Sequence, residues 1–258
     1  MLSKSHLLLT VSPTDSRAAL TYGVPMAHIA YRVGGGPHLF RSAMPIAIRG
    51  GLMVIDDAGF DGLGDSAPFC QEVMRECLAR GFDGVICDFE TRPFSILGKI
   101  ISELGELMAK RGWPLYVTEP YARFSEKTKV MISSALSGGS LRQRLGEAVT
   151  AYGAERVALS VERVAEDFFL PSPAGQGVSL SRTELAQRIE ELSPSIFFSG
   201  ELCAHYFTYM SPKTGAHFIL FDDGGSIRKK LQIARGLDIS DAILSYPQVS
   251  DLLPELLR

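Results

Sequence analysis

Eight short apolar runs, rich in β-branched residues and separated by amphipathic segments, constrain this 258-residue chain more than any other feature. They fall at residues 7–11, 27–33, 52–55, 84–89, 114–118, 130–133, 157–161 and 242–245. Each is the length of a strand buried on both faces and too short for a buried helix. Between several of them lie helical stripes. Residues 67–80 place Phe69, Val73, Met74 and Cys77 on one face, and residues 96–111 do the same with Ile100, Ile101, Leu104, Leu107 and Met108. Segments 141–152 and 226–236 follow the same period. Alternating strand and helix signals predict a parallel sheet covered by helices, and eight strands favour closure. The expected fold class is therefore α/β, a single (β/α)8 barrel of the TIM type.

Two regions break the alternation. Residues 34–49 open with Gly34-Gly35-Gly36-Pro37 and continue as a run that reads equally as helix or strand. Residues 167–223 hold a Pro/Gly/Ser loop, a short helix at 183–192 and two strand-like runs, 203–210 and 216–221. Those runs flank Ser211-Pro212-Lys213-Thr214-Gly215, a good hairpin turn. An antiparallel hairpin does not suit a parallel barrel, so it is expected over the mouth as an insertion at about 167–223. With no repeat or linker, residues 1–258 are expected to form one domain.

Composition removes several classes of function. Charged residues are 21% of the chain and the net charge is −3, so there is no electrostatic case for nucleic acid or an acidic membrane. The N-terminal apolar run is too short for a leader and no stretch approaches a membrane span, which makes the cytoplasm the expected compartment. Cys70, Cys77, Cys87 and Cys203 have no paired metal-ligand spacing, and neither have His6, His28, His38, His205 and His217. Gly34-Gly35-Gly36 lacks the strand-to-helix setting of a nucleotide loop. No metal and no cofactor are expected.

The chemistry concentrates in Asp83-Gly84-Val85-Ile86-Cys87-Asp88-Phe89-Glu90. Alternation points Ile86, Asp88 and Glu90 one way and Val85, Cys87 and Phe89 the other. In a closed barrel the first set faces inward and its last members emerge at the C-terminal mouth, where active sites lie. Two carboxylates cost too much there to serve as packing. This segment resembles the Asp-Gly-x-Asp-x-Asp-x-Glu signature on the fourth strand of glycoside hydrolase family 18, the chitinase and N-acetylglucosaminidase family, with Ile86 at one acidic position. Further stretches resemble that family in the correct order: Glu166-Asp167-Phe168-Phe169-Leu170-Pro171 after the seventh strand, Phe221-Asp222-Asp223-Gly224-Gly225-Ser226-Ile227 after the hairpin, and Ala242-Ile243-Leu244-Ser245 as the eighth strand. Phe89 fits the spore-cortex subgroup.

The resemblance implies cleavage beside an N-acetyl sugar by substrate assistance, with Glu90 as general acid and Asp88 orienting the acetamide and balancing the oxazolinium charge. It also exposes departures. Ile86 replaces an aspartate that would partner Asp88, Ser133 stands for an acetamide-supporting tyrosine, and Ser245 stands for a sugar-stacking tryptophan, with Tyr246 next to it. Asp56, Asp57, Glu119 and Glu162 fall at predicted strand ends and would complete an acidic mouth, either as a sugar-hydroxyl network, as an oxygen-ligand cation site, or as caps and solvated charge. Glu119-Pro120-Tyr121 offers a fixed turn with a ring for sugar stacking, and His205, Tyr206, Phe207 and Tyr209 could wall a subsite. Three functions compete: a hydrolase of N-acetylglucosamine-containing glycans, including peptidoglycan; a catalytically impaired carbohydrate-binding or scaffolding barrel; and repurposed chemistry at the same mouth. An external polymer sits awkwardly with a cytoplasmic protein, and release at spore formation, or action on a cytoplasmic sugar fragment, would reconcile them.

Overall fold

Every one of the eight apolar runs is a strand in the structure, a computed structural model that describes residues 6–44, 47–90, 94–136, 138–171 and 177–258. The strands are β1 (Leu7–Val11), β2 (Met26–Gly34), β3 (His38–Arg41), β4 (Leu52–Asp56), β5 (Val85–Asp88), β6 (Leu115–Thr118), β7 (Lys129–Ser133), β8 (Val157–Val161), β9 (Ala165–Leu170), β10 (Val178–Ser179), β11 (Phe197–Ser199), β12 (Ala204–Ser211), β13 (Gly215–Phe221) and β14 (Asp241–Ser245). The helices are α1 (Ser16–Leu20), α2 (Ser66–Arg80), α3 (Ser95–Ala109), α4 (Leu141–Tyr152), α5 (Arg182–Leu192), α6 (Gly224–Arg235), α7 (Tyr246–Val249) and α8 (Leu253–Leu256). Strands β1, β2, β4, β5, β6, β7, β8 and β14 are parallel neighbours in that order, and β1 pairs with both β14 and β2. That double pairing closes the barrel. None of the helices is long and apolar enough to cross a membrane, among the described residues.

Alternation divides the strand residues between two cores. Leu8, Ala27, Val54, Ile86, Tyr116, Met131, Ala158 and Ile243 meet inside the barrel. Outward residues such as Val85, Cys87 and Val117 pack beneath Phe69, Val73, Ile100 and Leu104 of α2 and α3. Leu9, Ile132, Leu159 and Leu244 lie beneath Leu145 of α4 and Ile227 and Leu231 of α6. Each such fully buried aliphatic chain contributes about 1.5–3 kcal/mol. The lower end of the barrel is polar: the Tyr116 hydroxyl donates to Asp241 Oδ2 at 2.9 Å, and Lys129 forms an ion pair with the same carboxylate. Helix ends follow their sequence signals. The Asp65 side chain caps the start of α2, and Gly81, at φ 74°, ends it with its N–H on the Cys77 carbonyl.

Both irregular regions resolve into strands. Residues 34–49, ambiguous in sequence, include an edge strand: β2 runs on to Gly34, turns, and returns antiparallel as β3, and among the described residues this unit shows no crossover helix. Within that region Pro45 and Ile46 lie outside the described residues. The insertion is larger than the hairpin expected from the sequence. It is a five-stranded antiparallel sheet in the order β10-β9-β13-β12-β11, because Ala165–Leu170, read above only as a motif, pairs along β13. The expected Pro/Gly/Ser loop falls at 172–176, outside the described residues. Helix α5 covers one face through Leu185 and Ile189, against Phe207, Ile219 and Phe221. The other face packs Phe168, Ala204 and Leu220 against Val164 and Ala135, just past the upper ends of β8 and β7.

A buried clamp fixes how the insertion leaves the barrel. Its entry and exit are tied by Val164 N–H donating to Asp222 Oδ2 (2.9 Å) and Asp222 N–H donating to the Val164 carbonyl (2.8 Å). Lys230 of α6, fully buried, reaches the same Asp222 oxygen at 2.6 Å, and the Ser226 hydroxyl donates to Asp222 Oδ1 at 2.8 Å. A buried pair of this kind adds little over an apolar pair, but breaking it strands a charge. Asp222→Ala is expected to destabilise the protein by about 3–5 kcal/mol in denaturant titration, and the double change Asp222→Ala with Lys230→Met to recover a large part of that loss. Equal losses in the single and double variants would contradict the clamp.

Candidate functional site

The upper ends of the inward faces form a polar ring. Asp56 on β4 and Asp88 on β5 are register partners, and each lies two residues beyond an interior apolar residue, Val54 and Ile86. By the same alternation Thr10, Thr118, Ser133, Ser160 and Ser245 take inward positions at the ends of their strands. Ile86 forms the floor under Asp88, only 2% exposed. The acidic residues beyond the strand ends complete the ring. Burial, then the charges of Glu90, Asp56, Asp57 and Glu162 in that order, push the Asp88 carboxyl up to about 6. The charges of those four carboxyls therefore reach Asp88.

Local hydrogen bonds hold the ring in place. Asp57, 2% exposed, accepts the Glu90 N–H at 3.0 Å, which ties the loop after β5 to the loop after β4. The Thr118 hydroxyl donates to the Phe89 carbonyl at 2.7 Å from the other side. Asp56 Oδ1 accepts the Ala58 N–H at 3.0 Å, a short turn that keeps its carboxyl at the strand end. Buried Ser134 accepts the Glu162 N–H at 3.0 Å, bridging the ends of β7 and β8. Among the described residues, no three His, Cys, Asp or Glu side chains are grouped so as to hold a metal ion.

Of the residues singled out by sequence, Asp88, Glu90, Asp56 and Glu162 are thus brought together, with Asp57. Three others are not. Tyr121 is no stacking ring for a sugar: it is fully buried, edge-on to Phe89 with ring centres 5.3 Å apart, because the turn begun at Pro120 is a 3-10 helix that folds it under the barrel wall. Tyr246 also faces away from the mouth. It keeps the outward side of its strand as the first residue of α7 and packs on Tyr22 at 6.3 Å. Glu119 turns to Arg144 of α4 in an ion pair and is not among the charges acting on Asp88. Ser133 lies at the upper end of β7, its hydroxyl accepting the Ala135 N–H at 3.0 Å. Of the four aromatic residues proposed as a wall, Tyr206 alone takes the barrel-side face of the inserted sheet, stacked on Phe218 at 5.4 Å; Phe207 is buried beneath α5.

Sequence reading missed a feature at the β2 edge of the mouth. A bulge between Ile29 and Tyr31 shifts β2 by one residue against β4, so that Arg32 pairs with Asp56 and Tyr31 with Ile55. Simple alternation cannot place Arg32 beside Asp56, because the bulge reverses the parity that alternation assumes. Ile29, Arg32, Phe40 and Asp56 line a cavity of about 370 Å³ there.

No family model matches the chain and no curated protein matches it. Solved structures do match, over nearly its whole length. The spore cortex-lytic enzyme SleL of Bacillus megaterium superposes with a TM-score of 0.70 at 15% identity, over 98% of this chain and 74% of that one. A chitinase from Chromobacterium violaceum gives 0.71 at 14% identity over 98% of each chain. The GH18 chitinase of Cycas revoluta, solved in complex with (GlcNAc)3, gives 0.65 at 13% identity over 98% of each. At such identities the likeness is one of fold, and it is the fold of the family whose motifs the sequence resembles.

The raised Asp88 carboxyl has a consequence for stability. Its folded value, about 6, lies above the ordinary carboxylate value of 3.8, so the folded form binds the proton more tightly. Stability contributed by this group is then full below the lower value, falls as pH rises through the window between the two, and stays reduced above about 6. Asp88→Asn is expected to flatten that window and to stabilise the protein at pH 7 by about 1–2 kcal/mol, after allowance for partial solvation. Parallel denaturation curves across this pH range measure it. A destabilised variant at neutral pH would contradict a desolvated, repelled carboxylate.

Proposed function

We propose that this chain is a glycoside hydrolase acting on N-acetylglucosamine-containing glycans, with Glu90 as proton donor and Asp88 as the carboxylate beside the reacting acetamide. The observation that supports the reading is the Asp88 carboxyl at the upper end of β5 in a barrel with the chitinase fold, raised by burial and then by the charge of Glu90 two residues on. In the reaction, Glu90 gives its proton to the glycosidic oxygen as that bond breaks. The acetamide carbonyl oxygen closes onto the anomeric carbon, and positive charge spreads over the new ring. Asp88 in its ionised form accepts the acetamide N–H and balances that charge. Water then opens the ring, with the proton returning to Glu90.

Few contacts would support this chemistry. Ile86 offers Asp88 no hydrogen bond, Ser133 is too short to replace a tyrosine over the acetamide, and Tyr121 is unavailable for stacking. Each missing contact costs on the order of 1–3 kcal/mol of transition-state stabilisation, tenfold to about hundredfold in rate. These same absences support a second reading, a carbohydrate-binding barrel in which hydrolysis is vestigial.

Assays on chito-oligosaccharides and peptidoglycan fragments separate the two. Slow wild-type turnover is expected, with kcat/KM falling below about pH 6 as Asp88 takes up its proton. Glu90→Gln should abolish turnover while leaving glycan binding largely intact, and Asp88→Asn should lower kcat at least hundredfold. Saturable binding with no turnover by the wild type would favour the binding barrel, and neither binding nor turnover would exclude both.

A further inference from the structure

We infer that the β2–β3 hairpin forms a second subsite beside the acidic mouth, built for a sugar that carries a carboxylate. The inference rests on the glycan reading of the mouth and names the class of glycan.

Its parts are unusual for their surroundings. Arg32 is the register partner of Asp56, so it brings a cation to the β2 edge of the acidic mouth, outside the groups that act on Asp88 among the described residues. An anionic sugar approaching the carboxylates of the mouth is repelled unless a positive group offsets them. Arg32 makes no ion pair within 4 Å among the described residues, whereas Arg41 on the neighbouring strand is engaged with Glu76 at 3.4 Å. The Arg32 guanidinium instead lies over the Phe40 ring, 5.9 Å from its centre, which leaves its planar N–H fork for a ligand carboxylate.

Phe40 is held for the same task. It is the register partner of Arg32 across the hairpin and is 48% exposed, a flat apolar surface of the kind on which a sugar ring stacks. Its ring lies directly across Gly34: a Cβ at that position would stand 2.0 Å from two ring carbons. Glycine at 34 is thus what lets the ring occupy this place. The cavity they line, about 370 Å³, falls within the size range of small-ligand sites and shares Asp56 with the mouth, so one glycan can occupy both.

The carboxylate could belong to a lactyl ether on an N-acetylated sugar or to a uronic acid. Titration calorimetry of the intact protein with four disaccharides distinguishes these: a neutral N-acetylglucosamine dimer, its lactyl-ether counterpart, the methyl ester of that counterpart, and a disaccharide carrying a uronic acid. One acidic disaccharide, which identifies the source, should bind about tenfold tighter than the neutral dimer. The methyl ester should lose that preference, and added salt should reduce it. Arg32→Ala should bring the acid-to-neutral affinity ratio close to one, with the ratio read inside each variant so that general effects cancel. Arg32→Lys should keep part of the preference, and Phe40→Ala should weaken every disaccharide together. Neutral binding without acid preference, equal binding of acid and ester, or a preference that survives Arg32→Ala would overturn the subsite alone. Failure of all four disaccharides to bind would overturn the glycan reading with it.

Discussion

The pairing of β1 with both β14 and β2 is the constraint on which everything else depends. Closure gives each strand an inside and an outside, and it sends the inward residues of different strands to one point. Asp56 and Asp88 meet because β4 and β5 are register neighbours in a closed wall. Glu162 reaches the same field from the far side only because the wall returns on itself. The apolar layer beneath, with Ile86 and Met131, excludes water from below and makes that field strong.

A mouth of this kind is held at a cost to stability. Burial and four neighbouring carboxyls oppose ionisation of Asp88, and among the described residues no cation is one of the groups that act on it. Elsewhere the chain resolves the same problem differently. Asp241, at the lower end of the barrel, is also pushed up by burial, but Lys129 and the Tyr116 hydroxyl more than offset this and hold it below the usual carboxylate range. Asp222 has Lys230, a backbone N–H and the Ser226 hydroxyl. Among the described residues no cation offsets the repulsion on Asp88, whereas Asp241 and Asp222 are offset, and this sets the C-terminal mouth apart electrostatically from the rest of the barrel.

Much of the barrel was legible because period-2 burial is a local property. All eight strands, and helices such as α4, follow from apolar spacing and capping residues. Asp88 over Ile86 followed from the same rule. The rule failed where geometry is not local. The bulge at Ile29/Tyr31 hid Arg32, and the partner of β9 lies about fifty residues further on in β13, so a strand read as a motif. Tyr121 and Tyr246 sit one to three residues past strand ends, where a 3-10 turn or a new helix, rather than alternation, sets direction. The ends of strands are where sites are built and where the pattern gives least guidance.

We propose that the mouth is preorganised for positive charge developing on an N-acetyl sugar. A stable thiazoline analogue of the cyclic oxazolinium tests this most directly, through its affinity above pH 6 against that of the parent N-acetylglucosamine. Since only the thiazoline has the bicyclic shape of the intermediate and a basic ring nitrogen that can share a proton with Asp88, it is predicted to bind at least hundredfold tighter, with a preference that changes with pH as that pair gains or loses a proton. Equal affinity for the two, or a preference independent of pH, would contradict it.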